Sequence, residues 1–316
     1  MPAEIALALG GGGVRGISHI GVLRCLEEQG FAIKAIAGTS IGGLIGGLYA
    51  AGVTTNQLEK ATGKISQRRL FRRNANDGPA FLGLRGVEDI LEATLGNKTF
   101  KQLEIPFACT SIDLHAGQEI ILTQGKVKDA IRASIAYPGI FPPKVINGIT
   151  LVDGGVLDPV PVALARWLTP TLPIVAVCLS PEPKDWAELP PPGLPNTIPI
   201  PHVFIQQLRK DKMVQAVEIF TRSLDIMDKT MSELRLKMDK PDVVIRPDVA
   251  KIGLLDNVNA NELIKIGELA AIKALPAIKD SLSFPNTISR YLHLGTEPPG
   301  QNLDIEESDN EQQQSA

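Results

Sequence analysis

The sequence predicts an α/β protein built on a mostly parallel sheet, and three observations predict it. In "EIALAL" at residues 4–9 everything after Glu4 is apolar and the run ends in glycines, the pattern of a strand buried on both faces with a tight exit. The next stretch, "VRGISHIGVLRCLEEQG", spaces Ile17, Ile20, Leu23 and Leu26 three apart and stops at Gly30, which is helical spacing with a C-terminal glycine. Then "FAIKAIAG" repeats the strand signal, and Ile41 to Ala51 reads as a second helix closed by Gly52. Strand, helix, strand, helix is the signature of parallel strands joined by right-handed crossovers.

The later elements extend the same plan. "PFACTSIDL" and "QEIILTQG" read as two strands of a hairpin, and "KVKDAIRASIA" as a short helix ahead of Pro138. "KVINGITLVDGG" sets Asn147-Gly148 between two apolar runs, a tight-hairpin signal. "LPIVAVCLS" is another buried strand. Eight prolines among the 21 residues from Pro181 to Pro201 predict an extended surface loop or linker. Residues 202–238 have a long helical pattern, "DVVIRP" suggests a last strand, and 261–282 a last helix. No internal repeat is visible.

Composition sets bounds on this plan. At 316 residues, 44% hydrophobic and 21% charged, the chain reads as an ordinary soluble globular protein, large enough for one big α/β domain or two smaller ones. The three cysteines Cys25, Cys109 and Cys178 are odd in number and widely spaced, so they form neither a disulfide framework nor a metal cluster; a reducing cytosol is expected. Lys34 to Glu59 encloses an uncharged stretch, yet it is rich in Gly, Ser, Thr, Asn and Gln and lacks a stop-transfer flank, which argues against a membrane span. The first residues lack the basic start and apolar length of a secretory signal. Residues 295–316 hold six acids and no Lys or Arg, and are expected to be an acidic disordered tail. The rest of the chain is left mildly basic, enough to tolerate an anionic surface.

Two glycine-rich turns carry the chemistry. "GGGGVRG" at residues 10–16 matches G-x-G-x-x-G through Gly11, Gly13 and Gly16, which is also the dinucleotide fingerprint. That reading needs an acid at the end of the second strand, and "AGTS" has none. What stands there is Gly38-Thr39-Ser40-Ile41-Gly42, a G-x-S-x-G between strand and helix, where the serine takes a strained turn and residues two either side must be small. The competing reading is a plain glycine-rich turn with an N-cap serine. Both loops leave adjacent strands at one sheet edge, so the amides of Gly11, Gly12 and Gly13 are placed to stabilise an oxyanion above Ser40.

A serine needs a base. His19, His115, His202 and His293 each lie in contexts better explained by packing or surface exposure. Asp153 ends an apolar strand and precedes Gly154 and Gly155, which presents its carboxylate on a sharp turn. It either acts as general base or bonds its own turn.

Together "GGGVRG", "GTSIGG", "RASIAYPGIFPP" (132–143) and "LVDGGVLDPVPV" (151–162) resemble the patatin-like phospholipase family, in particular its bacterial single-domain members and the esterase domain of neuropathy-target-esterase-like proteins. The resemblance implies a three-layer α/β/α patatin-like fold over residues 1–294, with core motifs at 5–178 and a helical C-terminal part at 202–290. It implies a Ser40–Asp153 dyad with no histidine, an oxyanion hole at Gly11 to Gly13, motif glycines Gly16, Gly38, Gly42, Gly154 and Gly155, and no metal or cofactor. Arg15 matches the family's basic loop position, without an assigned role. The implied reaction is hydrolysis of phospholipid or lysophospholipid acyl esters; a silent adaptor of the same fold and a small-ester esterase are the alternatives. The implied partner is a lipid substrate at a membrane surface and not nucleic acid. "GKISQRRLFRR" at 63–73, with Arg68, Arg69, Arg72 and Arg73, is either a basic interfacial helix or lid, or a solvated face, in a cytoplasmic protein peripheral to the inner membrane surface.

Overall fold

A computed structural model describes residues 2–64, 67–74, 77–188, 212–283 and 298–303. The strands are β1 (Ala3–Leu9), β2 (Phe31–Gly38), β3 (Phe107–Asp113), β4 (Gln118–Leu122), β5 (Lys144–Ile146), β6 (Ile149–Asp153), β7 (Ile174–Val177), β8 (Val243–Ile245) and β9 (Gln301–Asn302). The helices are α1 (Ser18–Glu28), α2 (Ile41–Ala50), α3 (Thr55–Lys64), α4 (Gln67–Leu70), α5 (Arg85–Leu95), α6 (Val127–Ser134), α7 (Val162–Leu168), α8 (Lys212–Asp239) and α9 (Ala260–Ser281). All belong to one sheet with helices on its two faces.

Strands β8, β7, β1, β2 and β3 are neighbours in that order and parallel, while β4 and β6 run antiparallel to β3. Side chains alternate between the two buried faces of the sheet, as the strand period requires. Ile5, Leu7 and Leu9 of β1 pack with α1, α2 and α9, whereas Ala6 and Ala8 pack with Val162, Leu164 and Ala165 of α7 and Leu236 of α8. Large residues on one face and alanines on the other give the α/β/α layering expected from the sequence.

The register places the two glycine turns. Leu9 pairs with Gly38, so the loop after β1 and the turn after β2 leave the sheet side by side, and Thr39 N–H donates to Leu9 O at 3.0 Å. Strand β6 arrives from the opposite direction and ends with Asp153 opposite Ser111, two residues past Cys109, the partner of Gly38. Its hairpin to β5 turns on Asn147 and Gly148, both at positive φ (51° and 77°), the geometry that Asn-Gly favours.

Two expectations need correction. Helices α3 and α5 occupy 55–64 and 85–95, where the sequence reading assigned no element. Within the expected tail, Gln301–Asn302 instead add a short parallel strand to β4, because β4 otherwise presents unpaired backbone groups along that edge. Residues 295–297 and 304–316 of the tail, His202, His293 and most of the proline-rich segment lie outside the described residues.

Candidate active site

Ser40 is the residue before α2 and adopts φ 55°, ψ −125°, a backbone region that costs a non-glycine residue about 1–3 kcal/mol. Hydrogen bonds hold it there. Its N–H donates to Ser134 Oγ at 3.0 Å, and Thr39 Oγ1 donates to Asp158 O at 2.8 Å. Packing removes the alternatives, since a β-carbon at Gly42 would stand 2.0 Å from Leu9 O, and one at Gly38 2.6 Å from Gly42 O. The turn therefore needs glycine at both flanks, as G-x-S-x-G implies.

Ser40 Oγ donates to Asp153 Oδ2 at 2.5 Å, and Asp153 Oδ1 accepts from Gly155 N–H at 2.8 Å. Asp153 is buried at 1% exposure. Burial raises its pKa to about 7; the bonds from Ser40 and Gly155 pull the other way, and the nearby Asp228 carboxylate adds to the rise. Gly154 packs against Thr110, and Gly16 against Ile41. The four motifs thus meet at one point of the sheet edge.

One of the three loop amides expected to face an oxyanion is already bonded within the protein. Gly11 N–H already donates to Pro159 O at 2.9 Å, so it is not available to an oxyanion. Among the described residues nothing accepts from Gly12 or Gly13 N–H, and these two remain the candidate donors. The loop is clamped from outside: Val14 N–H donates to Leu254 O at 2.9 Å, Arg15 Nε to Ile252 O at 2.5 Å, and Arg15 Nη2 lies 3.9 Å from Asp225 Oδ1. From below, His19 Nε2 lies 2.8 Å from Gly10 O. A carbonyl only accepts, so Nε2 carries the proton. Burial lowers the His19 pKa to about 4, keeping the ring neutral. His19 fixes the loop and does not line the cavity over Ser40.

That cavity holds about 540 Å³, within the range of small-molecule sites. Its walls are apolar, with Ile41, Leu44, Leu48, Phe71, Val87 and Phe141 among them, and its polar end carries Ser40, Asp153, Tyr137, Asp225, Asp228 and Lys229. Sequence reasoning missed the last three. Asp228 accepts from Ser180 Oγ at 3.0 Å and has a pKa raised to about 6, chiefly by burial; Asp225 pairs with Lys229 four residues on. Their signal was the polar spacing Asp225, Asp228, Ser232 along α8.

A mostly parallel sheet, a strained serine at a strand-to-helix turn, a glycine loop beside it and a carboxylate in contact with that serine mark an α/β protein with a serine-centred site at its sheet edge. Residues 7–166 match the patatin-like phospholipase family, and the chain belongs to that family. An uncharacterised NTE-family protein of Mycobacterium tuberculosis is 40% identical over 163 residues, covering 51% of this chain and 45% of that protein. Lysophospholipase NTE1 of Saccharomyces cerevisiae is 35% identical over 167 residues, covering 51% of this chain but 10% of its own length. This chain therefore spans less than half the length of those relatives. The crystal structure of VipD from Legionella pneumophila shares the fold, with a TM-score of 0.55 at 13% identity over 87% of this chain and 67% of VipD.

Proposed function

We propose that the protein is a serine hydrolase of lipid acyl esters, acting on phospholipids or lysophospholipids through Ser40 and Asp153. The observation that carries the reading is the 2.5 Å contact from Ser40 Oγ to a buried carboxylate at the polar end of an apolar cavity. Ser40 Oγ attacks the ester carbonyl carbon while Asp153 Oδ2 takes its proton. Gly12 and Gly13 N–H face the charge that develops on the carbonyl oxygen. Asp153 returns the proton to the leaving alcohol, and the acyl group stays on Ser40. Water then gives a proton to Asp153 and attacks the acyl carbon, and Ser40 leaves with that proton. A pKa near 7 suits a group that both accepts and donates.

The apolar walls suit one acyl chain, which favours a lysophospholipid, as does the name of the yeast relative. A fluorophosphonate probe is expected to label wild-type protein at Ser40 and to leave Ser40→Ala unlabelled. Asp153→Asn is expected to lose ester turnover by about 10³-fold or more, at the scale of a lost general base. A folded Asp153→Asn enzyme with wild-type turnover overturns the dyad, and an unlabelled wild type leaves the silent adaptor. A panel of phospholipids, lysophospholipids and triacylglycerols then ranks the substrates.

A further inference from the structure

Helix α8 is packed with its polar side inward. Asp225 reaches Arg15, Asp228 and Ser232 reach Ser180, and Arg235 reaches Glu119, with Leu236 the one apolar residue buried among the described residues of the helix, while Ile219, Phe220, Ile226, Met227, Leu234 and Met238 point outward, from 45% exposed at Phe220 to 70% at Met238. A surface helix normally does the reverse. The first four outward residues lie seven apart in two pairs, so they form one stripe on the turns of α8 that also carry the cavity-lining Asp225, Asp228 and Lys229.

That stripe continues onto the cavity rim. The Phe220 ring lies 3.4 Å from the β-carbon position of Gly139, and Gly139 O accepts from Phe81 N–H at 3.1 Å. Phe81 is itself 60% exposed, on a loop tied down by Arg73, whose guanidinium donates to Ala80 O at 2.7 Å and Gly78 O at 3.0 Å. Gly139 belongs to the turn that sends Tyr137, Ile140 and Phe141 into the cavity. Beside Phe81 stand exposed Arg69 and Arg72, their backbone against Gly86 and Gly83. Arg72 Nε donates to Arg69 O at 3.4 Å, and its ion-pair partner Asp89, at 3.5 Å, is solvent-exposed and holds its charge weakly.

We propose that the outer face of α8 around Phe220 and Met227, with Phe81 and the flanking Arg69 and Arg72, is the surface that seats the protein on an anionic phospholipid bilayer, so that the cavity opens toward the lipid. The apolar stripe enters the interface, and the arginines meet the headgroup phosphates. The basic segment expected at 63–73 is then the rim of this surface, with its Ile65 and Ser66 outside the described residues. The proposal rests on the lipid-ester reading of the cavity.

The test is flotation of the full chain with vesicles of ether-linked phosphatidylcholine, alone or mixed with ether-linked phosphatidylglycerol, which cannot be hydrolysed. Wild type is expected to float with the mixed vesicles. Phe81→Ser/Phe220→Ser/Met227→Ser is expected to bind them at least about tenfold more weakly, which is about 1.4 kcal/mol. Arg69→Glu/Arg72→Glu is expected to lose the preference for the anionic mixture. None of these residues lines the cavity, so turnover of a soluble butyrate ester stays at the wild-type rate and reports that each variant is folded. Wild type that does not float, or a triple variant that floats equally, overturns the proposal. So does a triple variant whose only change is a dimer becoming a monomer, because the face then belongs to a second copy. Vesicle binding by a chain with no ester turnover supports the docking surface and overturns the hydrolase reading alone.

Discussion

In the proposed dyad Asp153 is the base, and its surroundings bear on how a carboxylate would take that role. Burial raises it, Ser40 and Gly155 oppose the rise, and Asp228 on α8 adds to it; Asp228 is in turn held by Ser180 and sits among Arg15, Asp225 and Lys229. The base acts only when ionised, so kcat/KM for a soluble ester is expected to rise with pH through about 7 and level off above it. Removing a negative neighbour makes ionisation easier, so Asp228→Asn is expected to move this limb toward acid. A pH profile of both enzymes checks the sign, and an unmoved limb shows that the field of Asp228 does not reach the base. Ser40, Asp153 and their glycines were legible in the sequence because each turn requires its residue types locally. The withdrawal of Gly11 by Pro159 O was not, since it depends on a contact 148 residues away in the chain, visible only once β7 and the turn after β6 are packed. Arg15 and Asp228 escaped for the same reason.

At the scale of elements, α2 explains why a helix keeps Gly42, Gly43, Gly46 and Gly47 despite a cost of roughly 0.5–1 kcal/mol each. It lies so close to the sheet that a β-carbon at Gly46 would stand 2.8 Å from Ile36 Cγ2 of β2, and so close to α6 that one at Gly47 would stand 2.7 Å from Ile131 Cδ1. Gly46→Leu is therefore expected to destabilise the fold by about 3 kcal/mol or more through overpacking, read as a lower urea midpoint at an unchanged slope. A midpoint equal to wild type would mean that this face of α2 has room to spare. Strands and hairpins were legible because period and turn chemistry are local; the Asn147-Gly148 turn is an example. Helix α5 was also written in the sequence, since Val87, Leu91 and Leu95 recur every four residues on its buried side. Helix α8 was legible only as a helix: most of its apolar stripe faces out, so periodicity does not give the side that touches the protein.

For the whole molecule, the family motifs end near residue 166, yet the site does not. Loop residues Ile252 and Leu254 hold the glycine loop, α8 supplies Asp225 and Asp228, and α9 crosses α1 where a β-carbon at Gly21 would stand 1.9 Å from Ile264 O and one at Gly267 1.9 Å from Ser18 O. Strand β8 completes the sheet beside β7. The two halves thus share one core, and among the described residues no helix is long and apolar enough to cross a membrane and stand apart from it. Residues 1–188 made alone would leave the apolar sides of α1 and β7 bare, surface that a single domain of this size needs to bury. The fragment is expected to bind a hydrophobic dye, lack near-ultraviolet dichroism and fail to react with a fluorophosphonate, whereas residues 1–316 are expected to unfold in one transition with matching calorimetric and van't Hoff enthalpies. A fragment that is folded and labelled at Ser40 would show that the motif-bearing half is a domain by itself, and that the C-terminal half shapes the cavity without holding the fold together.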